Sequence, residues 1–161
     1  MTAPTNPSTN PPMGQGAVPA ALQEIADDFT ALPPKERLQL LLEFSDGLPE
    51  LPERYADHPE LLEPVPECQS PIFLITEVEG TGRDATAHLF FSAPPEAPTT
   101  RGFAGILAEG LDGLTVGEVL DVPGDVTERM GLAEVVSPLR LRGMAGMLGR
   151  IKRQLREKSG A

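Results

Sequence analysis

The order of segments along the chain predicts an α+β domain, a small antiparallel β-sheet packed against several helices. Three observations carry this. Two helical stretches come before residue 50; two strand-like runs, Ile72 to Val78 and Ala85 to Ser92, are separated by Gly80-Thr81-Gly82-Arg83-Asp84; and only helical stretches follow. Strands grouped between runs of helices build a sheet with helices gathered on it, not alternating βα units.

Taken in order, residues 1–17 are rich in Pro, Thr, Asn and Ser and are expected to form a disordered tail ahead of a single domain over residues 18–158. Pro19 suits a first helical turn, after which Leu22, Ile25, Phe29 and Leu32 share one face. Pro33 and Pro34 break that helix. Leu38, Leu41, Leu42 and Ser45 then mark a second stripe that Gly47 closes. From Leu48 to Pro64, prolines alternate with acids and leucines, which predicts an ordered but irregular connector.

The β-branched and aromatic residues of Ile72 to Val78 and Ala85 to Ser92 predict an antiparallel hairpin. Thr99 and Thr100 are expected to cap a helix whose Phe103, Ile106, Leu107 and Leu111 face the core, ending at Gly113. Thr115-Val116-Gly117-Glu118 matches a capping box, and Val126 to Leu132 reads as a further short helix. Ser137-Pro138 supplies an N-cap and first-turn proline for a long last helix with Met144, Met147, Leu148, Ile151 and Leu155 inward.

Composition narrows the function classes. A chain of 161 residues with 40% hydrophobic residues can bury one core, and 4% aromatic residues with no Trp make it aliphatic. A single cysteine removes an internal disulfide, zinc ribbons, Cys-x-x-Cys redox sites and cysteine-ligated clusters held by one chain. The first residues lack the pattern of a secretory signal, and no run approaches a membrane span, so the expected location is cytoplasmic with no membrane partner. The formal charge of -11 argues against nucleic acid as the main partner. That charge is uneven: Ser137 to Ala161 holds seven basic residues and one acid, and the remainder stands at -17. The basic run is either a docking face or a solvated helix face, and the solvated face is expected.

The cysteine sits in Val65-Pro66-Glu67-Cys68-Gln69-Ser70-Pro71, between connector and hairpin. A cysteine used as a small hydrophobe sits among apolar residues at helix or strand spacing, whereas this one has Glu67 and Gln69 beside it. Pro66 and Pro71 stiffen the segment. A loop provides the partial exposure that a reactive thiol needs. The sheet anchors one end and the connector holds the other loosely, so the loop is expected to move. His58 in the connector and His88 in mid-strand are not expected to act as bases for it.

Glu67-Cys68-Gln69-Ser70 leading into an apolar strand, Arg101-Gly102 opening a helix, Gly131-Leu132, and Ser137-Pro138-Leu139-Arg140 followed by Gly143-Met144 and Met147 together resemble the SufE family of sulfur-acceptor proteins. The resemblance runs from about Leu22 to the end of the last helix. It implies a fold similar to that of the IscU-like scaffold proteins of iron–sulfur cluster assembly. It also implies that Cys68 accepts sulfane sulfur from the persulfide of a SufS-type, pyridoxal-phosphate cysteine desulfurase and stimulates that enzyme. The sulfur would pass to a SufBCD-type scaffold, a rhodanese-type donor being an alternative source, with no cofactor on this chain. Glu67, Gln69, Ser70, Glu96, Arg101 and Gly102 are the expected partner-facing residues. Two departures stand out: Glu96-Ala97-Pro98 replaces the usual Ser-Asp-Ala, passing the acidic role to Glu96, and Leu139 replaces a small polar residue before Arg140.

The chemistry of such a transfer is thiol exchange, so the acceptor needs thiolate character and access. Glu67 opposes a second negative charge beside it, and a cation must approach from elsewhere. Arg140, near the start of the last helix, is the first candidate and Arg101 the second; each is otherwise an ordinary surface ion pair. With no resolving thiol, a persulfide on Cys68 cannot collapse into an internal disulfide and must wait for a partner. The resting loop is therefore expected to tuck Cys68 against apolar helix side chains and to swing out on docking. Gly143 and Gly146 either admit backbone closely at that pocket or serve helix packing. Two other function classes stand beside this one: a cysteine hydrolase or transferase, which needs His58 or His88 in reach of the thiol, and a non-catalytic acidic adaptor.

Overall fold

A computed structural model describes residues 17–161, so the expected tail, save its last residue, lies outside the described residues. The chain runs through α1 (Ala20–Ala31), α2 (Pro34–Asp46), α3 (Glu53–Ala56), β1 (Glu63–Pro64), β2 (Phe73–Glu79), β3 (Thr86–Ser92), α4 (Pro98–Leu111), α5 (Val116–Leu120) and α6 (Pro138–Ser159). The three strands pair antiparallel in the order β1-β2-β3, with Phe73 opposite Ser92 and Glu79 opposite Thr86. This is the α+β arrangement the sequence predicts.

Side chains alternate across β2 and β3, and Leu74, Thr76, Ala87, Leu89 and Phe91 are buried on the face covered by α6 and α4. At the centre lies α4, in which every residue from Gly102 to Ala108 is buried. A helix covered on all sides must let its neighbours approach closely, and glycines do this. A Cβ on Gly102 would stand 2.6 Å from the Leu41 carbonyl oxygen, one on Gly110 2.7 Å from Leu22, and one on Gly105 would overlap the Phe44 carbonyl. The five inward residues expected on α6 are all buried.

Several expectations are corrected. The connector is ordered, as expected, but it is neither irregular throughout nor loosely held: it contains α3, a 3-10 turn at Pro59–Leu61 and β1, and it buries Leu48, Tyr55 and Leu62. Its third strand was invisible because two residues show no alternation and one is Pro64, tolerable only at a sheet edge. Helix α4 starts at Pro98 with Ala97 before it and no side-chain cap, so Thr99 and Thr100 are not caps. Proline has no N–H to satisfy at that position. In α2, Leu38 is exposed while Leu41 and Ser45 face the core. In place of a helix from Val126 to Leu132 there are two 3-10 turns, Val126–Met130 and Leu132–Glu134, parted by Gly131, whose φ of 68° ends the first. The Thr115–Glu118 capping box and the Ser137 cap form as predicted.

The basic run on α6 is not a simple solvated face. Beyond β1, the edge of β2 is closed by side chains: Thr76 N donates to Gln154 Oε1 at 2.8 Å, and Lys158 Nζ donates to the Thr76 carbonyl. Lys152 reaches the Val122 carbonyl, and Arg153 pairs with Glu63. These bonds let α6 stand in for a missing strand and bind the basic helix to the acidic body.

Candidate functional site

The turn that carries Cys68 is closed at its neck by the Val65 N–H donating to Ile72 O at 2.9 Å, between two buried side chains. Inside, Pro66 opens a 3-10 turn through Cys68, held by Cys68 N to Val65 O and Gln69 N to Pro66 O. Gln69 then takes φ 56°, a left-handed conformation that reverses the chain into Pro71 and β2. Both ends of the segment are thus fastened, by β1 before and β2 after. Any movement belongs to residues 66–71 and not to the connector.

The Cys68 side chain is 6% exposed. Its thiol donates to the Gly143 carbonyl at 3.6 Å, and a Cβ on Gly143 would stand 3.0 Å from Sγ and 3.1 Å from Cys68 Cα. One turn along α6, a Cβ on Gly146 would stand 3.1 to 3.3 Å from the Glu67 side chain. The two glycines are seats for two consecutive residues of the turn: Gly143 admits the Cys68 backbone, the close approach foreseen for it, while Gly146 meets only the Glu67 side chain.

Burial pushes the Cys68 thiol up to about 11; Glu67 adds to the rise and Arg150 opposes it. A thiol held there is ionised to the extent of roughly one part in ten thousand at pH 7. Burial and the raised pKa both disfavour the thiolate in the closed turn. Above it lies a cavity of about 240 Å3 lined by Cys68, Gln69, Ser70, Ser137, Leu139 and Arg140. The structure thus brings Cys68, Gln69, Ser70 and Arg140 together, and Glu67 adjoins them.

The other expected residues lie elsewhere. Arg101 donates to Ser45 O at 2.9 Å and to Ala93 O at 2.6 Å, so its guanidinium ties α2 to the end of β3 and is not a cation for the thiol. Gly102 is buried beneath Leu41 and has no surface to offer a partner. Glu96 is exposed in the turn between β3 and α4. His58 pairs with Glu60, and His88 stands 3.6 Å from Glu79 and 3.9 Å from Asp112, while the thiol bonds a carbonyl. The Cys-His pair that a hydrolase needs is not built.

Two residues escaped the sequence reading. Arg150 is the cation that reaches the turn, and its signal was helical phase: it follows Gly143 and Gly146 on the same face of α6. Leu139, noted only as a departure, is a 45%-exposed leucine on the wall of the thiol cavity. Among the described residues there is no group of three or more His, Cys, Asp or Glu placed to hold a metal, and no helix long and apolar enough to cross a membrane. A larger concavity of about 680 Å3, lined by Leu40, Phe44, Phe90 and Glu109 among others, shares no residue with the thiol site.

Fold and site together define a class: an α+β protein that stores one thiol in a tight turn against a glycine-faced helix. The SufE family, described as an Fe-S metabolism associated domain, matches over residues 23–155. The chain is 52% identical over 141 residues to an uncharacterised SufE-like protein of Mycobacterium tuberculosis, covering 88% of this chain and 95% of that one. It is 29% identical over 136 residues to an uncharacterised SufE-like protein of Rhizobium meliloti, covering 82% and 92%. The solution structure of a hypothetical protein from Thermus thermophilus superposes with a TM-score of 0.77 at 39% identity, covering 90% of this chain and 100% of that one. The chain belongs to the SufE family.

Proposed function

We propose that this protein is a sulfur acceptor and carrier that takes the outer sulfur of a cysteine desulfurase persulfide onto Cys68, stimulates that enzyme and passes the sulfur to an iron–sulfur cluster scaffold. The observation that carries this reading is the placement of the chain's only thiol: stored against Gly143, under a small cavity with Arg140 on its wall.

In the transfer, the Cys68 thiolate attacks the terminal sulfur of the donor's Cys–S–SH group. A bond forms between Sγ and that sulfur, the donor's S–S bond breaks, and the donor cysteine leaves as a thiolate. Atoms and charge balance without an added oxidant or reductant. The Cys68 proton must leave first, and opening the turn lowers its pKa by returning the sulfur to water. Arg140 then favours the anion at the cavity wall. Closure over Gly143 shields the persulfide from solvent thiols, and Glu96, Gln69 and Ser70 lie on surfaces a partner would meet.

On this reading the donor is a SufS-type enzyme and the recipient a SufBCD-type scaffold, with a rhodanese-type donor as an alternative. Pyridoxal phosphate resides on the desulfurase and this chain has no cofactor of its own, acting in the cytoplasm as a partner and not as a stand-alone enzyme. Mass spectrometry after incubation with an active desulfurase and free cysteine tests this. One added sulfur on the Cys68 peptide, absent in Cys68→Ser, is expected; no adduct would end the carrier reading.

A further inference from the structure

One side chain fastens the Cys68 turn to α6 at two places. Arg150 donates from Nε to the Pro64 carbonyl at 3.1 Å, just before the turn, and its Nη2 forms an ion pair with Glu67 Oε1 at 2.9 Å, beside the cysteine. Glu63 Oε2 lies 3.5 Å from Nε, and Arg153 and Gln154 also hold the Glu63 carboxylate. Among the described residues, Arg150 is the one cation paired with Glu67.

Among the described residues, the only hydrogen bond from the tip to α6 is that of the thiol. The backbone bonds Cys68 N to Val65 O, Gln69 N to Pro66 O and Ile72 N to Ser70 O are local to the turn and its neck, and none of them reaches α6. The thiol's contact with the Gly143 carbonyl, at 3.6 Å, is weak because a thiol is a weak donor. Glycine seats supply close packing but no side-chain bond. We infer that Arg150 is a positioning residue that latches the Cys68 turn shut through Glu67, so that exposure of the thiol is governed by that ion pair. Both partners are reachable, with side chains 23% and 42% exposed, so a competing cation at Glu67 or a competing anion at Arg150 can release the turn. The latch deepens the carrier reading, which requires the turn to open, but its test needs no sulfur donor.

The test rests on a sign. Arg150 also favours the thiolate electrostatically, as Glu67 disfavours it. If Arg150 acted only through charge, Arg150→Gln would make Cys68 slower to alkylate; as a latch, its loss makes Cys68 faster. Alkylation of the full-length protein by iodoacetamide at pH 8 is therefore followed for wild type, Arg150→Gln, Arg150→Lys and Glu67→Gln, with thermal unfolding recorded for each. The latch predicts about three- to fivefold acceleration in Arg150→Gln, more in Glu67→Gln, and a rate nearer wild type in Arg150→Lys. It also predicts that 1 M NaCl accelerates the wild type and leaves Glu67→Gln unchanged. A slower or unchanged Arg150→Gln overturns it. Should Arg150→Gln lose its fold, Glu67→Gln decides: altering an exposed carboxylate leaves the fold intact, and a salt response equal to that of wild type overturns the latch. A latch that holds while Cys68 takes no sulfur from a desulfurase leaves this inference standing and removes the carrier reading; the reverse outcome removes only the latch.

Discussion

Two helices of this protein carry glycines on their packed faces, and what rests on those glycines differs. On α4, Gly102, Gly105 and Gly110 receive Leu41 and Phe44 of α2 and Leu22 of α1, helices of the core. On α6, Gly143 and Gly146 receive Cys68 and Glu67, two residues of a short turn whose neck lies elsewhere. The same device therefore does different things. Under a helix, a glycine contact cannot loosen without separating two elements of the core. Under a turn, it can loosen while the core stays closed, which suits a seat for something stored and released.

The sharpest way to break this comparison is Gly105→Ala, whose Cβ would overlap the Phe44 carbonyl. Backbone cannot step aside as a side chain can, so a loss of about 3 kcal/mol in urea unfolding is expected, with Cys68 alkylation unchanged under native conditions. Gly143→Ala should do the reverse. Its Cβ would press on Cys68 Sγ and Cα, and lifting the turn should raise the alkylation rate about tenfold, while the helix gains from alanine and global stability changes by less than about 1 kcal/mol. If the two variants lose equal stability, the distinction between core and seat fails.

A pH titration sharpens it further. The closed turn holds the thiol proton more tightly than the open one, with a pKa pushed up to about 11. Closure is therefore favoured fully below the ordinary thiol range and weakens as pH rises toward that value. The alkylation profile of wild type should inflect well above that of Gly143→Ala; coincident inflections would mean the turn is equally open in both. The smallest effect belongs to Gly146→Ala. Its Cβ meets only the flexible Glu67 side chain at 3.1 to 3.3 Å, which can shift, so a change of about twofold or less in alkylation is expected, with stability within about 0.5 kcal/mol.

Much of the fold was legible because its signals are local. Proline pairs, the Thr115–Glu118 box and the inward face of α6 are written within a few residues of where they act. The misses share a cause. Strand β1 has meaning only as the partner of Leu74 and Phe73, and the burial of Leu48, Tyr55 and Leu62 depends on what lies above them. At the site, Cys68 and its glycine seats could be foreseen, but Arg101 was misjudged because its acceptors are backbone carbonyls, which every residue possesses and no sequence distinguishes.

By itself the sequence determined the α+β order of elements, the solitary thiol and its stiff flanks, and the helical spacing that sets Gly143, Gly146 and Arg150 in one row. Steric and periodic preferences act over a few bonds, and these features follow from them. Only the tertiary structure decided which carbonyl the buried thiol rests against and which arginine reaches its turn. Cys68 and the carbonyl it meets are 75 residues apart in the chain. Desolvation and ion pairing depend on distance in space, and folding alone sets that distance.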